Sequence, residues 1–307
     1  MKIAVIGAGN VGAMTASRVI DSGLADVVLV DVVPGMAKGK ALDISDARPV
    51  FSSRSGITGT ENFADIEGSD IVVITAGLAR KPGMSREDLL KKNTEIIKEV
   101  SIQVKKYCPS SIVIVVTNPL DVMTYLVMKT TGFNPKKVIG MAGVLDTARF
   151  INALWGRNQD IDRDKVLMMG SHGDTMVPVN RSENISSEVF SETSELARNR
   201  GAEIVKCLGT GSAYFAPSAS VFAMLKAIVK NEKSAMCASA YLEGQYGEKD
   251  IYIGVPVVLG SLGIEKIIEI ELTKEEKQAF KKSALQIREG ITTMTLETST
   301  KVIGNLS

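Results

Sequence analysis

The chain contains a single histidine, His172, within a stretch of small and polar residues that runs from Gly170 to Thr175. Histidine titrates closer to neutral pH than any other side chain, so it is suited to accept and donate a proton there. Gly170 and Gly173 would let a substrate approach the imidazole closely. A lone histidine is also compatible with an ordinary surface or core position, so a catalytic role depends on its surroundings.

Four charged residues could complete such a site. Asp146 and Arg149 lie three positions apart in a predicted helix and therefore share one face. A carboxylate can orient an imidazole, and a guanidinium pairs bidentately with a substrate carboxylate. Arg80 and Arg86 lie in a segment with a Pro-Gly pair, which predicts a non-helical loop between strand and helix. Taken singly, Asp146 is equally well explained as a helix N-cap, and the arginines as surface ion-pair residues.

A glycine-rich segment follows the first apolar run and opens a helix. Gly7 allows a tight turn, Gly9 lets the backbone approach a pyrophosphate, and Gly12 lets helix and strand pack closely. Asp31 ends the second apolar run, where a carboxylate bonds the ribose hydroxyls and repels a 2′-phosphate. This pattern predicts NAD rather than NADP, although a structural turn and a capping role for Asp31 are the alternatives. The predicted cofactor-binding residues here are Gly7, Ala8, Gly9, Asn10, Val11, Gly12 and Asp31.

Residues 1–143 alternate short β-branched runs with amphipathic stretches, which indicates βαβ units and a parallel sheet. We therefore expect an α/β fold, a Rossmann-type doubly wound parallel sheet that binds ligand at the carboxyl ends of its strands. The predicted strands are Ile3–Ile6, Val27–Val30, Ile71–Ile74, Ile112–Val116 and Val138–Met141, and the predicted helices are Val11–Asp21, Met36–Asp46, Arg86–Tyr107 and Leu120–Thr130.

Residues 144–307 read as a second, α+β domain that binds the substrate, joined to the first by a tight hinge. Long helical stretches alternate with runs typical of antiparallel strands. Thr273 and Glu276 form a capping box that opens a last helix. The predicted helices are 144–155, 187–208, 216–230 and 273–300, and the predicted strands are 165–170, 176–180, 234–242, 252–259 and 264–270.

Composition excludes several classes of function. The net charge of +1 argues against nucleic acid or an anionic membrane as a partner, and no apolar run is long enough to span a bilayer. Three cysteines far apart form no disulfide framework and no metal site, so a reducing cytoplasm fits best. We expect a small-molecule substrate and no metal.

The segments GAGNVG, Thr117-Asn118-Pro119, LDTAR and GSHGDT occur in the order and with the approximate spacing found in one known family. Through these segments the chain resembles the lactate/malate dehydrogenase superfamily, and within it the lactate-dehydrogenase-like malate dehydrogenases. The resemblance covers essentially the full length of the chain. The resemblance implies an NAD-dependent oxidoreductase acting on a 2-hydroxy acid. It also implies a homo-oligomer, a tetramer or a dimer.

The resemblance implies a role for each candidate side chain. His172 would be the proton acceptor and donor, Asp146 would orient it, and Arg149 would bind the C1 carboxylate of the substrate. Arg86 would polarise the ketone oxygen, and Asn118 would bind the same oxygen. The residues implied to contact the cofactor are Asn93, Val116, Thr117 and Asn118.

The substrate is predicted to be malate or oxaloacetate. Arg80 lies six residues before Arg86, where lactate-specific relatives resemble one another in having glutamine. An arginine there would pair with a second substrate carboxylate, which would otherwise be buried unpaired at high cost. Ala213 lies where lactate enzymes tend to have a bulkier threonine, which leaves room for the longer acid. Lys81 is the alternative selector.

Three other functions stay open. A lactate dehydrogenase or a related 2-hydroxy acid dehydrogenase would keep the same catalytic residues. A non-catalytic NAD-binding sensor would not need His172, Asp146 and Arg149 together. NAD- and metal-dependent glycosidases share this fold, but they are longer and have Cys-Asn where this chain has Thr117-Asn118.

Overall fold

Short β-branched runs build the first half of the molecule. The computed structural model describes residues 1–78 and 85–304, and in it these runs pair in parallel, in the order β3-β2-β1-β4-β5-β6. The strands are β1 (Lys2–Ile6), β2 (Asp26–Val30), β3 (Ile57–Thr60), β4 (Ile71–Ile74), β5 (Ile112–Val115) and β6 (Val138–Gly140). Ile3, Val73 and Ile114 are completely buried, as expected where helices cover both faces of a sheet.

The order of the strands reverses at β1, which lies between β2 and β4. Such a reversal opens a crevice at the carboxyl ends of the strands, where ligands bind in doubly wound sheets. The helices of this half are α1 (Asn10–Asp21), α2 (Met36–Ala47), α3 (Arg86–Tyr107) and α4 (Leu120–Thr131). The predicted Rossmann-type sheet is therefore confirmed.

Strand β3 was not among the sequence predictions. None of its residues is fully buried, Thr58 is exposed and a glycine lies in its middle, so the segment shows no apolar run. Gly59 is required there, because a side-chain carbon at this position would overlap the carbonyl group of Ala37 in α2. In the sequence, a single glycine is thus the only sign that α2 approaches β3 closely.

The second half continues the same sheet. Its elements are α5 (Gly143–Trp155), β7 (Val166–Met169), β8 (Val177–Asn180), α6 (Ser187–Leu208), α7 (Phe215–Val229), β9 (Ser234–Glu243), β10 (Lys249–Gly260), β11 (Gly263–Ile267) and α8 (Lys274–Gly304). Strands β9 to β11 form the predicted antiparallel meander, which joins β6 at the pair Gly140 and Ser239 and completes a nine-stranded sheet. Strands β7 and β8 form a separate antiparallel pair. The domain boundary at residue 143 stays a prediction.

A small second hydrophobic cluster holds α5 in place. Phe150 and Leu154 of α5 are completely buried against Val166 and Met168 of β7. Phe150 also meets Phe190 of α6 edge to face, with 5.8 Å between the ring centroids. This packing fixes the helix that carries Asp146 and Arg149. None of the helices within the described ranges combines the length and the apolar character that a membrane span needs.

Candidate active site

The glycine-rich segment forms a turn between β1 and α1 that fits a dinucleotide. Gly7 adopts a φ of 103°, a value that favours glycine. A side-chain carbon at Gly9 would meet no atom within 4 Å, so the backbone there is open to a phosphate group. At Gly12 the same carbon would overlap the carbonyl of Gly7, so only glycine allows this packing. Helix α1 begins at Asn10 and points its first N–H groups towards the turn.

The predicted ribose-binding carboxylate is also tied to this turn. One oxygen of Asp31 accepts the Ala8 N–H at 2.6 Å, and the other accepts the Val33 N–H at 3.0 Å. Lys40 of α2 donates to the Ala8 carbonyl at 2.7 Å. The Ala8 residue is thus held from both sides, by a carboxylate at its N–H and an ammonium at its carbonyl oxygen.

Lys40 is a residue that sequence reasoning missed. It lies three positions after Ala37 and one before Ala41, and both alanines are buried. A lysine on the buried face of a helix is unusual, and this was the signal that could have found it.

Asn93 connects the segments that follow β4 and β5. Its side-chain oxygen accepts the Leu78 N–H at 2.8 Å, and its amide nitrogen donates to the Asn118 carbonyl at 2.7 Å. The hydroxyl of Thr117 donates to the Ala76 carbonyl at 2.6 Å. Asn93 is fully buried, so the structure places it in position to shape the predicted cofactor site through the main chain around it.

The predicted acid–base residues lie together. His172 Nδ1 lies 2.7 Å from Asp146 Oδ2, and Arg149 Nη1 lies 3.6 Å from Asp146 Oδ1. Burial lowers the pKa of His172, but the charge and hydrogen bond of Asp146 raise it by more, so the net shift is upward. Because Nδ1–H is directed to Asp146, Nε2 is the nitrogen left to exchange a proton with a substrate.

Arg149 is a mostly buried cation without a complete set of partners. Its Nε has no hydrogen-bond partner among the residues that the structure describes, and neither has Asp146 Oδ1. Burial lowers the pKa of Arg149, and the charge of Asp146 opposes that shift. An unpartnered buried guanidinium nitrogen is costly to the free protein and suits the binding of an anion such as a carboxylate.

His172 and Asn118 line a cavity of about 430 Å³, a volume that suits a small organic acid. The opposite wall comes from α3 and from α8, through Leu90, Gln286 and Thr293. Sequence reasoning assigned no site residue to α8. Arg149 is not among the lining residues.

Two predicted substrate residues cannot be placed in this geometry. Arg80 lies outside the described residues. Arg86 is the first residue of α3, but its side chain lies outside the described part of the structure. Ser85 fixes the start of this helix: its hydroxyl accepts the Asp88 N–H at 3.0 Å, and the Asp88 carboxylate accepts the Ser85 N–H at 3.1 Å.

Fold and site together define a class of protein, an oxidoreductase built on a dinucleotide-binding sheet with a histidine–aspartate pair beside it. Family comparisons identify it more closely. Residues 1–140 match the NAD-binding domain of the lactate/malate dehydrogenases, and residues 143–298 match the alpha/beta C-terminal domain of the same family. The chain belongs to the lactate/malate dehydrogenase family.

Similar proteins and similar solved structures carry both names of the family. The chain is 48% identical over 301 residues to the malate dehydrogenase of Methanosarcina mazei, covering 95% of this chain and 98% of that protein. The malate dehydrogenase of Cryptosporidium parvum matches with a TM-score of 0.91 at 38% identity, over 96% of this chain and 98% of that one. The lactate dehydrogenase of the same organism, solved with lactic acid and nicotinamide adenine dinucleotide, matches with a TM-score of 0.91 at 39% identity and the same coverage. The fold alone therefore does not separate the two substrates.

Proposed function

We propose that the protein is an NAD-dependent malate dehydrogenase, which interconverts (S)-malate and NAD with oxaloacetate, NADH and a proton. The observation that carries the proposal is the contact of 2.7 Å between His172 Nδ1 and Asp146 Oδ2, with Arg149 beside it. Bound NAD supplies the acceptor and donor of the hydride. The protein's own side chains carry out all other steps.

Malate loses a hydride from C2 and a proton from its hydroxyl group. His172 Nε2 accepts that proton, and Asp146 stabilises the imidazolium that forms. In the reverse direction, the imidazolium returns the proton to the ketone oxygen of oxaloacetate. Arg149 binds the C1 carboxylate and so holds C2 in a fixed position. Arg86 and Asn118 bind the C2 oxygen, where negative charge develops during reduction.

The choice of malate rests on Arg80 in the sequence and on the relatives that are named malate dehydrogenases. Arg80 pairs with the second carboxylate of the substrate, which would otherwise be buried without a partner. Ala213 leaves space for the longer acid. Lactate dehydrogenase is the second candidate function, because a lactate enzyme matches the structure as closely as a malate enzyme does.

The test is the loss of NADH absorbance with oxaloacetate and with pyruvate, assayed in parallel on purified protein. We expect fast turnover of oxaloacetate and almost none of pyruvate. Arg80→Gln should shift the preference towards pyruvate by about 100-fold or more, since a buried carboxylate loses its partner. Lys81→Gln is the matched control and should leave the preference unchanged. A wild-type preference for pyruvate would instead establish the lactate enzyme, and silence on both acids would favour the sensor.

The setting of the reaction is part of the same proposal. A malate dehydrogenase belongs to the tricarboxylic acid cycle, and the three free cysteines suit a reducing cytoplasm. We also propose a homo-oligomer, a tetramer or a dimer. Exposed apolar side chains at Leu42, Val50 and Phe51 would suit a subunit contact. Light scattering of the purified protein measures the oligomeric state directly.

A further inference from the structure

A buried carboxylate that the mechanism does not use contacts the main chain of the catalytic histidine. One oxygen of Asp121 accepts the backbone N–H of His172 at 3.0 Å. Its other oxygen accepts the hydroxyl of Ser239 at 2.6 Å. Asp121 is 3% exposed, so neither hydrogen bond competes with bulk water. Burying a carboxylate costs several kcal/mol even when it is hydrogen-bonded, so such a residue needs a reason to be there.

Asp121 lies where the two halves of the molecule meet. It belongs to the first turn of α4, three residues after Asn118, whereas His172 follows β7 and Ser239 belongs to β9. The junction is closely packed: a side-chain carbon at Gly140 would come within 2.6 Å of Ser239 Cβ and 2.8 Å of Thr124 Oγ1. Only glycine at this position lets β9 bring Ser239 up to Asp121.

The loop around His172 needs such an anchor because glycines flank it. Asp146 fixes the imidazole ring from α5, but it does not hold the backbone that carries the ring. The backbone is held at three consecutive residues. Gly170 exchanges two backbone hydrogen bonds with Gly254 of β10. Ser283 Oγ accepts the Ser171 N–H at 2.6 Å, and Asp121 accepts the His172 N–H. Asp121 is the anchor that comes from the cofactor-binding half of the chain.

We propose that Asp121 is a positioning residue, which ties the backbone of His172 to the segment that carries Asn118. The segment from Asn118 to Asp121 then sets the position of the base relative to the substrate oxygen and to the nicotinamide. A displacement of the base by about 1 Å costs about 100-fold in rate. The proposal rests on the proposed dehydrogenase activity.

The two hydrogen bonds fit the ionised carboxylate, because both of its oxygens accept. Burial raises the pKa of Asp121 to about 6, while the bonds from Ser239 and His172 oppose this shift. Asp121 is thus mainly ionised at neutral pH. The charged groups around the imidazole are Asp121 from α4 and Asp146 and Arg149 from α5, and Glu87, Asp174 and Glu289 line the same cavity.

The experiment compares Asp121→Ala, Asp121→Asn and Ser239→Ala in steady-state kinetics. Asp121→Ala should lower kcat by about 100-fold and leave KM for NADH within about twofold. Asp121→Asn should recover at least about tenfold of that loss, since its oxygen can accept the His172 N–H while its amide donates to Ser239. Ser239→Ala removes the other hydrogen bond of the same carboxylate but leaves the acceptor of the His172 N–H in place, so it should lower kcat by less than Asp121→Ala does.

The single histidine allows a second readout, which also serves if Asp121→Ala does not fold. Labelling with ¹⁵N-histidine gives one backbone amide signal, that of His172, in the untagged wild-type protein. We expect this amide proton to be strongly protected from exchange with solvent, and we expect Ser239→Ala to retain the protection. In Asp121→Ala the protection should disappear.

Three results would overturn the proposal: a folded Asp121→Ala protein with kcat near the wild-type value, an Asp121→Asn protein as impaired as Asp121→Ala, or an unprotected His172 amide in the wild type. The second result would mean that charge, and not position, is what Asp121 supplies. A wild-type protein without dehydrogenase activity would refute the proposed function, but the amide protection would still test the contact.

Discussion

At the scale of single residues, the environment of His172 balances two opposing effects. Burial disfavours the imidazolium, and Asp146 favours it through its charge and a hydrogen bond of 2.7 Å. Because the second effect is larger, the pKa lies above the ordinary value of 6.5. A base so placed keeps its proton to a higher pH than an ordinary imidazole, which suits the reduction of oxaloacetate, and loses it at still higher pH, which suits the oxidation of malate.

This shift predicts opposite pH profiles for the two directions of the reaction. Reduction of oxaloacetate requires the imidazolium, so its rate should stay high through pH 6.5 and fall only above it. Oxidation of malate requires neutral imidazole, so its rate should rise as the pH increases above 6.5. Initial rates of both reactions, measured with saturating substrates from below to above pH 6.5, provide the test.

Asp146→Asn is the control for these profiles. It removes the charge that raises the pKa of His172 and leaves the burial that lowers it, so the midpoints of both pH profiles should move to lower pH. Midpoints that do not move in this variant, or two directions that fall together in the wild type, would contradict the assignment of His172.

At the scale of elements, local signals were the reliable ones. The sequence places the start of α3 at Arg86, and the structure agrees because the capping residues Ser85 and Asp88 are neighbours in the chain. The junction of β9 with β6 could not be predicted in this way. It depends on the absence of a side chain at Gly140, more than ninety residues before its partner Ser239, and nothing local marks that glycine.

The candidate site likewise combines residues that local signals identify with residues that only the folded chain brings together. Thr117-Asn118-Pro119 was recognised from its order among the family's motifs, but Asp121 was not, although it follows Pro119 by only two residues. The available signal was a lone carboxylate in the apolar first turns of α4. Its partners, His172 and Ser239, lie 51 and 118 residues away, so only the folded chain reveals the contact.

Lys40 of helix α2 contacts the glycine-rich turn, and we expect this contact to support cofactor binding. Lys40→Met removes the ammonium that holds the Ala8 carbonyl at 2.7 Å, so the phosphate-binding turn should lose order in the free protein. We expect the Kd for NADH to rise by about tenfold, the value of one charge-assisted hydrogen bond. Titration of protein fluorescence or calorimetry measures this Kd.

Lys38→Met is the matched control for α2, since Lys38 belongs to the same helix and is exposed. It should bind NADH as the wild type does. Equal affinity in both variants and the wild type would show that the contact of Lys40 with the turn does not contribute to cofactor binding.

At the scale of the whole molecule, one sheet supports both the glycine-rich turn and the residues that hold the loop of His172. Its parallel strands present the turn at Gly7 and the segment at Asn118, and its antiparallel extension carries Ser239 under the loop of His172. Cofactor and base are therefore attached to one continuous framework rather than to two bodies joined by a tether. A ligand that binds at the carboxyl ends of the parallel strands should stabilise the native chain as a whole.

The choice of cofactor should thus be visible in thermal unfolding. A ligand that binds only the native state stabilises it by about 2.7 kcal/mol at about 100 times its Kd. NADH should raise Tm clearly more than NADPH at the same concentration if the carboxylate of Asp31 binds the ribose hydroxyls, because it would then repel a 2′-phosphate. Asp31→Ser removes that repulsion and also the bond to Ala8. In this variant the effect of NADH should shrink and the gap between the two cofactors should narrow. Equal shifts of Tm by NADH and NADPH in the wild type would show that Asp31 does not select the cofactor.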